Sequence, residues 1–266
     1  YGMAEVDTEE GILNFLYQIQ EGTEYLNNPS VNNYGNSNFY YELVTEYNRV
    51  FNEVHDVGGL LVFNFSESLN TIGGNSAFST LPSRNMGLSG RLAYNYKTKY
   101  FSEFNFGYNG SEKFAKNNRY GFFPSIGLGW IMSNESWFNE KLPDVNLFKL
   151  KITHGLVGND GISSADDRFF YLSDVNLNNW DYSYTWGIDY SNSYAGYLID
   201  RYSNSNVTWE VAKKTNYGLE LGLFNDLTIQ ADYFTEHRTK IYMPRDFIPE
   251  TMGLTTPISS NLGEVK

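Results

Sequence analysis

The sequence predicts an all-β fold: a transmembrane, antiparallel, up-and-down β-barrel wall. Three observations lead there. Apolar and polar residues alternate with period two over segments of about ten residues, the length of a tilted strand that crosses a bilayer. The connections between those segments are alternately short and long. The chain also holds 22 Tyr and 19 Phe, yet its mean hydropathy is −0.44. Abundant large aromatics in a chain that is polar on average suit a wall that is apolar outside, polar inside and girdled by aromatic rings.

Each segment supports the reading in turn. Over 39–51 the odd positions carry Phe39, Tyr41, Leu43, Tyr47 and Phe51, and the even ones include Glu42, Glu46 and Asn48. Over 57–65 the odd positions are Val57, Gly59, Leu61, Phe63 and Phe65. Leu88, Leu92, Tyr94 and Tyr96 alternate with Ser89, Arg91, Ala93 and Asn95; Tyr100, Phe104, Phe106 and Tyr108 alternate with Glu103, Asn105 and Gly107. Tyr120, Phe122, Ile126, Leu128 and Trp130 oppose Gly121, Ser125, Gly127 and Gly129. Phe148, Leu150 and Ile152 oppose Lys149, Lys151 and Thr153. Val211, Tyr217, Leu219, Leu221 and Leu223 oppose Lys214, Asn216 and Glu220, and Leu227, Ile229, Ala231 and Tyr233 oppose Gln230 and Asp232. That makes about eight strands of spanning length.

Residues 52–54, 97–99 and 225–226 read as tight turns, whereas 69–84, 109–119, 158–206 and the segment after Tyr242 are long; 132–146 is intermediate and falls on the short side. In outer-membrane barrels short turns face the periplasm and long loops face outside. Residues 1–38 then read as an extracellular loop segment with a short amphipathic helix over 9–20, and 39–266 as barrel. A soluble β-sandwich or lipocalin-like barrel would also alternate. Against it, the polar face of Lys, Glu, Arg and Gly holds little to fill a small closed interior.

Other classes fall away on simple grounds. With 0 Cys there is no disulfide scaffold and no Cys-based metal site. A net charge of −12 argues against nucleic acid as a partner. No apolar run is long enough for a transmembrane helix. The chain starts at Tyr1 with no signal peptide and ends on Lys266, so it reads as a fragment or a mature segment. His55, His154 and His237 stand far apart, and neither an H-E-x-x-H, a G-x-S-x-G nor a P-loop is present. Acidic pairs are numerous, but none is singled out as a glycosidase pair. The sequence therefore predicts no catalytic residue, no resident metal, no cofactor and no enzymatic activity. Asn159, Asp160, Asp166 and Asp167 lack the calcium-loop spacing.

One stretch carries a resemblance. Residues 88–130 read LSGRLAYNYKTKYFSEFNFGYNGSEKFAKNNRYGFFPSIGLGW. Three further matches follow: FKLKITHGLVGND at 148–160, VTWEVAKKTNYGLELGL at 207–223 and YFTEHRTKI at 233–241. Together they resemble the SusC/RagA family of TonB-dependent outer-membrane transporters. The likeness is strong from Met86 to Lys266, moderate over 39–65 and absent from 1–38. It implies a fragment of about eight strands from a plugged barrel of about 22, with plug and N-terminal regions outside this chain. The SNLGEVK ending resembles a family segment that continues into further strands. The implied function is TonB-dependent import of glycan oligomers, or less often peptides, across the bacterial outer membrane. The implied partners are a SusD-like surface lipoprotein, the TonB complex through regions absent here, outer-membrane lipid, and a dimer of transporter–lipoprotein pairs. A passive porin-like channel is the alternative.

Read physically, Gly107, Gly121, Gly127 and Gly129 on the polar face leave space for a plug or let the strand curve. Pro124 costs a ladder hydrogen bond, which predicts a bulge or kink at 123–125. Lys149, Lys151, Lys214, Glu220, Asp232 and Glu236 are expected to face the lumen, hold water and pair with plug residues. Lys213 and Thr215 interrupt the outward pattern and are placed at the external headgroup level, where Lys can snorkel. Trp180, Tyr182, Tyr184, Trp186 and Tyr190, with Tyr194 and Tyr197, crowd the longest loop. Such rings stack on sugars and suit wet protein interfaces. Lid contact, which the resemblance implies, self-packing of the loop and direct substrate stacking are the three roles open to them.

Overall fold

The computed structural model describes residues 2–8, 11–17, 35–70, 81–162, 169 and 171–266. Its strands are β1 (Gly2–Thr8), β2 (Gly11–Tyr17), β3 (Asn36–Phe51), β4 (His55–Asn70), β5 (Ser83–Tyr96), β6 (Tyr100–Ser111), β7 (Tyr120–Ile131), β8 (Val145–Asn159), β9 (Asp174–Trp186), β10 (Asn192–Arg201), β11 (Glu210–Leu223), β12 (Leu227–Pro244) and β13 (Ser259–Val265). One short helix, α1 (Ser136–Lys141), lies between β7 and β8. Nine strands form one open antiparallel sheet in the order β13-β12-β11-β8-β7-β6-β5-β4-β3. It is an up-and-down meander; between β8 and β11 the chain makes the separate β9–β10 hairpin.

All eight expected strands are present, and β13 adds a ninth. The helix expected over 9–20 is a misreading: 11–17 is strand β2, paired with β1. Ile12, Phe15 and Tyr17 favour extended backbone, and a strand partner was available nine residues before, so β propensity prevailed over the weak helical spacing.

The sheet separates two chemistries by register. Gly59, Leu92, Phe104 and Ile126 lie side by side across four strands. The row formed by Tyr94, Ser102, Leu128, Ile152, Tyr217 and Tyr233 crosses six. The opposite face carries the row Asn48, Gly58, Ala93, Glu103, Gly127, Thr153 and Asn216. Neither face has a core above it. Leu92 is 61% exposed and Leu128 51%, and among the described residues only Phe114, Phe138, Val207 and Trp209 are buried hydrophobics. A soluble chain of this size hides most of its apolar surface. A single layer that leaves one whole face greasy needs lipid on that side.

Aromatic rings close the apolar band at both ends. At the short-turn end His55 lies over Tyr96 (5.0 Å between centroids), Tyr96 beside Tyr100, and Tyr100 over Trp130 at 6.1 Å and 12°. At the other end Tyr108 stacks on Tyr120 at 5.2 Å. From Tyr100 to Tyr108 the strand advances roughly 26 Å, or about 20 Å along the membrane normal for a tilt near 40°. This matches the apolar band of an outer-membrane wall.

The three tight turns share one backbone solution. Val54 N–H bonds Phe51 O at 3.2 Å, Lys99 N–H bonds Tyr96 O at 3.0 Å, and Asp226 N–H bonds Leu223 O at 3.1 Å. The central residues all have positive φ: Asn52 49° and Glu53 58°, Lys97 52° and Thr98 54°, Phe224 56° and Asn225 63°. Two left-handed residues in succession make a type I′ turn, whose twist matches that of the strands it joins. The β7–β8 connection is bound to this end by Asn134 Nδ2 donating to Thr98 O (2.7 Å), by Lys99 Nζ to Glu135 (2.7 Å) and by Tyr100 Oη to Glu135 (2.7 Å).

Pro124 acts differently from expectation. β6 and β7 pair without a register shift from Tyr100–Trp130 to Gly110–Tyr120, so no bulge forms. Instead the β7–β8 ladder stops at Ser125–Gly155, while β8 runs on to Asn159 beside β11. Proline has no N–H to give to β8, and the two strands fork above it.

Candidate functional site

The long-connection end of the sheet carries the features from which a ligand or partner site can be built, beginning at the fork. The Phe123 ring fills it. A Cβ at Gly121 or at Gly158 would overlap that ring, so both positions must be glycine for Phe123 to lie between the strands. Trp209 meets Phe123 edge-on at 5.3 Å and Phe114 at 5.4 Å. Phe114 and Val207 are fully buried there, with Ile162 and Tyr242 packed alongside. Burying a phenylalanine contributes about 1.5–3 kcal/mol. This small core therefore anchors two long connections to the wall.

Asparagine side chains complete the anchoring. Asn118 Nδ2 donates to the carbonyls of Ser205 (3.1 Å) and Val207 (3.3 Å). Asn261 Oδ1 accepts from Thr208 N–H at 2.9 Å, and its Nδ2 donates to Thr208 O and Lys240 O. Asn204 Nδ2 donates to Ser259 O at 3.0 Å, and Trp209 Nε1 to Arg119 O at 3.3 Å. Each satisfies backbone groups that irregular loops leave open. The sequence motifs N-G-S-E-K-F-A, G-F-F-P-S, V-T-W-E and S-N-L-G-E-V meet at this one place. Nothing local in these stretches declares that Phe114, Phe123, Val207, Trp209 and Asn261 pack together. The visible signal was a Trp and a Phe in otherwise polar loops.

Above this anchor stands the β9–β10 hairpin with the predicted aromatic residues. Trp180, Tyr182, Tyr184, Trp186 and Tyr190 are all exposed, from 47% at Tyr182 to 71% at Tyr190. Trp186 pairs with Asn192, and Tyr184 with Tyr194. Below Tyr194 the register slips, because Asn179 Oδ1 accepts from Asp181 N–H (2.9 Å) and Tyr182 N–H (3.3 Å) and bulges β9. Gly196 fits against the Tyr182 carbonyl, where a Cβ would collide with backbone. The turn at the tip uses Gly187 at φ 100° and Tyr190 at φ 54°. There the Asp189 carboxylate accepts from the Ser191 hydroxyl at 2.9 Å, and this hydrogen bond, aided by backbone N–H groups, holds it below the usual aspartate range. At its base the hairpin is tied down by Arg201 Nε to Leu172 O and Thr256 Oγ1 to Ile199 O.

The opposite chemistry lies on the polar sheet face. Lys149, Lys151, Lys214, Glu220, Asp232 and Glu236 share it, as expected, since Lys149 pairs with Glu220, Lys151 with Gly218 and Lys214 with Glu236. Lys151 Nζ bridges Glu220 (3.2 Å) and Asp232 (3.4 Å), and Lys149 reaches Glu220 at 3.3 Å. A Cβ at Gly218 would overlap the Lys151 stem, so this glycine lets the lysine lie flat between its two acids. Each such half-exposed pair is worth only about 0–1 kcal/mol. Gly127 and Gly129 face nothing closer than 3.4 Å and leave the floor open, whereas Gly121 is filled by Phe123.

Among the described residues no group of His, Asp and Glu is arranged to hold a metal ion, and Asp166 and Asp167 fall outside them. No helix among the described residues is long and apolar enough to cross a membrane.

No family model matches the chain. It is 27% identical to TonB-dependent receptor P39 of Formosa agariphila over 96% of its own length, and 34% identical to TonB-dependent receptor SusC of Bacteroides thetaiotaomicron over 51%. Its curated relatives are TonB-dependent receptors, SusC among them, which bears out the SusC/RagA resemblance. The chain spans 26% of the P39 receptor and 13% of SusC, so it is a portion of the length of these relatives. Among solved structures, the RagAB peptide importer in its 'closed-closed' state superposes on 87% of the chain with a TM-score of 0.65 at 21% identity, a likeness of fold. The sheet is not closed into a barrel, and the chain covers 26% of that solved chain.

Proposed function

We propose that this chain is a wall segment of an outer-membrane, TonB-dependent importer of oligomers too large for a porin, glycan oligomers or peptides, working with a SusD-like surface lipoprotein. Residues 39–266 are the barrel portion and 1–38 an extracellular segment. The TonB complex acts through regions outside this chain. The receptor works in the outer membrane as a dimer of transporter–lipoprotein pairs. The observation that carries the reading is the exposed aromatic hairpin in the long connection between β8 and β11, beside the buried anchor at the same end of a sheet with one apolar and one polar face. Large apolar surface rimmed by polar groups marks an interaction site, and Tyr and Trp are favoured at wet interfaces. The importer described as RagAB and the receptor SusC support a two-component transporter as the frame. Trp180, Tyr182, Tyr184, Trp186 and Tyr190 are the contact residues for the lipoprotein lid.

The test is a full-length receptor carrying Trp180→Ala, Tyr184→Ala and Trp186→Ala. The expected result is loss of lipoprotein co-purification and of oligomer-dependent growth, with normal insertion. Unchanged co-purification and growth would refute the assignment. A passive channel is separated by energy: growth that survives removal of TonB favours the porin reading.

A further inference from the structure

The outward face is not apolar to its full height. On β11 and β12 the outward residues are aliphatic up to the Tyr217–Tyr233 pair, whose rings lie 6.4 Å apart. Two residues higher the same face turns polar. Thr215 pairs with Thr235 on one side and His154 on the other, and Lys213 pairs with His237. His154 Nδ1 and Thr215 Oγ1 are 2.8 Å apart, and His237 Nε2 lies 2.6 Å from Glu264. Lys213 is exposed and has no ion-pair partner among the described residues. Lys266 lines the same patch, while the outward Arg84 pairs with Glu67 at 2.7 Å and Arg49 sits over the Phe51 ring at 4.8 Å. Buried in hydrocarbon, this patch would cost several kcal/mol. Lys213 stands ten residues above Leu223 at the turn, so it reaches about 33 Å along the strand, or about 25 Å up at a tilt near 40°. That is the outer headgroup level.

Directly beneath runs an apolar furrow of about 850 Å³. It crosses the strands between the row of Tyr100, Trp130, Leu150 and Leu219 and the row of Leu128, Ile152, Tyr217 and Tyr233. Its upper end lies at Tyr217 and Tyr233, two residues along the strands from the Thr215–Thr235 pair.

We propose that this combination is a binding site for one phosphate-bearing lipid of the outer leaflet. The headgroup phosphate sits on Lys213, with the Thr215 hydroxyl and His237 beside it, and an acyl chain lies in the furrow. Lys is a point-charge binder of phosphate, while Glu264 faces the same patch and keeps His237 paired. The chain carries a net charge of −12, so it does not gather free anions from solution. An anion held by its own hydrocarbon tail is the form this site favours. The inference rests on the wall reading above but can fail alone: a receptor that inserts and imports normally yet shows no lipid preference overturns only this site.

The experiment uses the full-length receptor, stripped of lipid in a neutral maltoside and mixed with dioleoyl phosphatidylglycerol or dioleoyl phosphatidylcholine, with retained lipid counted by native mass spectrometry. Expected is retention of one phosphatidylglycerol with a preference of about tenfold over phosphatidylcholine, a difference the size of one charge-assisted contact. Lys213→Leu should abolish the preference and Lys213→Arg should keep it. Equal retention of the two lipids overturns the proposal, as does an unchanged preference in Lys213→Leu. Millimolar inorganic phosphate displacing the lipid would also overturn it, by showing a free-anion site. If Lys213→Leu fails to fold, the wild-type comparison of the two lipids still decides.

Discussion

In the β5–β6 hairpin the ladder runs unbroken from Asn85–Ser111 to Tyr96–Tyr100, whereas the β9–β10 hairpin slips register at three places within a shorter span. Both are built from alternating Tyr, Phe or Trp and polar residues. The difference is lateral support. β5 and β6 each have a further neighbour, β4 and β7, while among the described residues β9 and β10 pair only with one another. A two-stranded ribbon is marginal in water by itself. The wall hairpin is over-determined by its neighbours and turns its rings toward lipid. The outer hairpin has Ile188 fully exposed and its Tyr and Trp rings in water. Alternation thus specifies a strand, but the number of flanking strands decides whether it is held in a continuous wall or left as an exposed two-stranded ribbon.

The largest expected effect tests the anchor between the two regions. Phe114→Ala, at a fully buried position, should destabilise the outer loops by about 3–5 kcal/mol. Limited proteolysis of the full-length receptor should then cut within 158–206 while the wall resists. Simultaneous loss of wall and loops would show that the two regions are not separable.

Next comes the wall itself. Ile126 is outward and half exposed, between Trp130 and Tyr120 on its strand. Ile126→Arg should cost about 2–4 kcal/mol in urea-titrated folding into lipid vesicles. Thr153→Lys, on the polar face, should stay within about 1 kcal/mol of wild type. In the outer hairpin, Tyr184→Ala with Trp186→Ala should change folding stability by less than about 0.5 kcal/mol, because neither ring is packed. A large loss there would mean that the rings support the hairpin and are not free for a partner.

Smaller effects sharpen the short-turn end. Thr98 is β-branched at φ 54°; relieving left-handed strain of about 1–2 kcal/mol against a glycine entropy cost of about 0.5–1 kcal/mol, Thr98→Gly should stabilise by up to about 1 kcal/mol. A loss would point to its hydroxyl bond with Lys97 O as the dominant contribution. Glu135 lies outside the spanning strands, and its hydrogen bonds from Lys99 and then Tyr100 hold its carboxyl below the ordinary value of 4.5. A depressed acid contributes stability above its unfolded pKa and loses it as pH falls through the folded value. Melting followed from pH 7 downward should therefore fall more steeply below about pH 4.5 in wild type than in Glu135→Gln. Parallel curves would remove Glu135 from the account.

Much of the wall was legible because its periodicity is local: Leu88 to Tyr96 and Tyr100 to Tyr108 each declare a face within nine residues. Strand β13 was harder, since Ser259–Val265 is short and interrupted by Gly263. Pro124 was visible, but whether it bulges a strand or ends a ladder depends on β8, far along the chain. The rim core escaped for the same reason, as Phe114 and Trp209 meet across 95 residues of sequence separation set by topology. The aromatic loop residues could be named from composition, whereas their exposure could not, because it depends on the absence of a third strand beside β9 and β10.

The account turns on the sheet standing between lipid and water. The chain contains 0 Cys, so single cysteines can be placed from 125 to 130 in the full-length receptor, spin-labelled, and read in vesicles for collisions with oxygen and with a water-soluble nickel chelate. The account predicts a two-residue period: labels at Ile126, Leu128 and Trp130 favour oxygen, and labels at Ser125, Gly127 and Gly129 favour the chelate. A profile without that period, or with Ile126 and Leu128 inaccessible to both reagents, would contradict it.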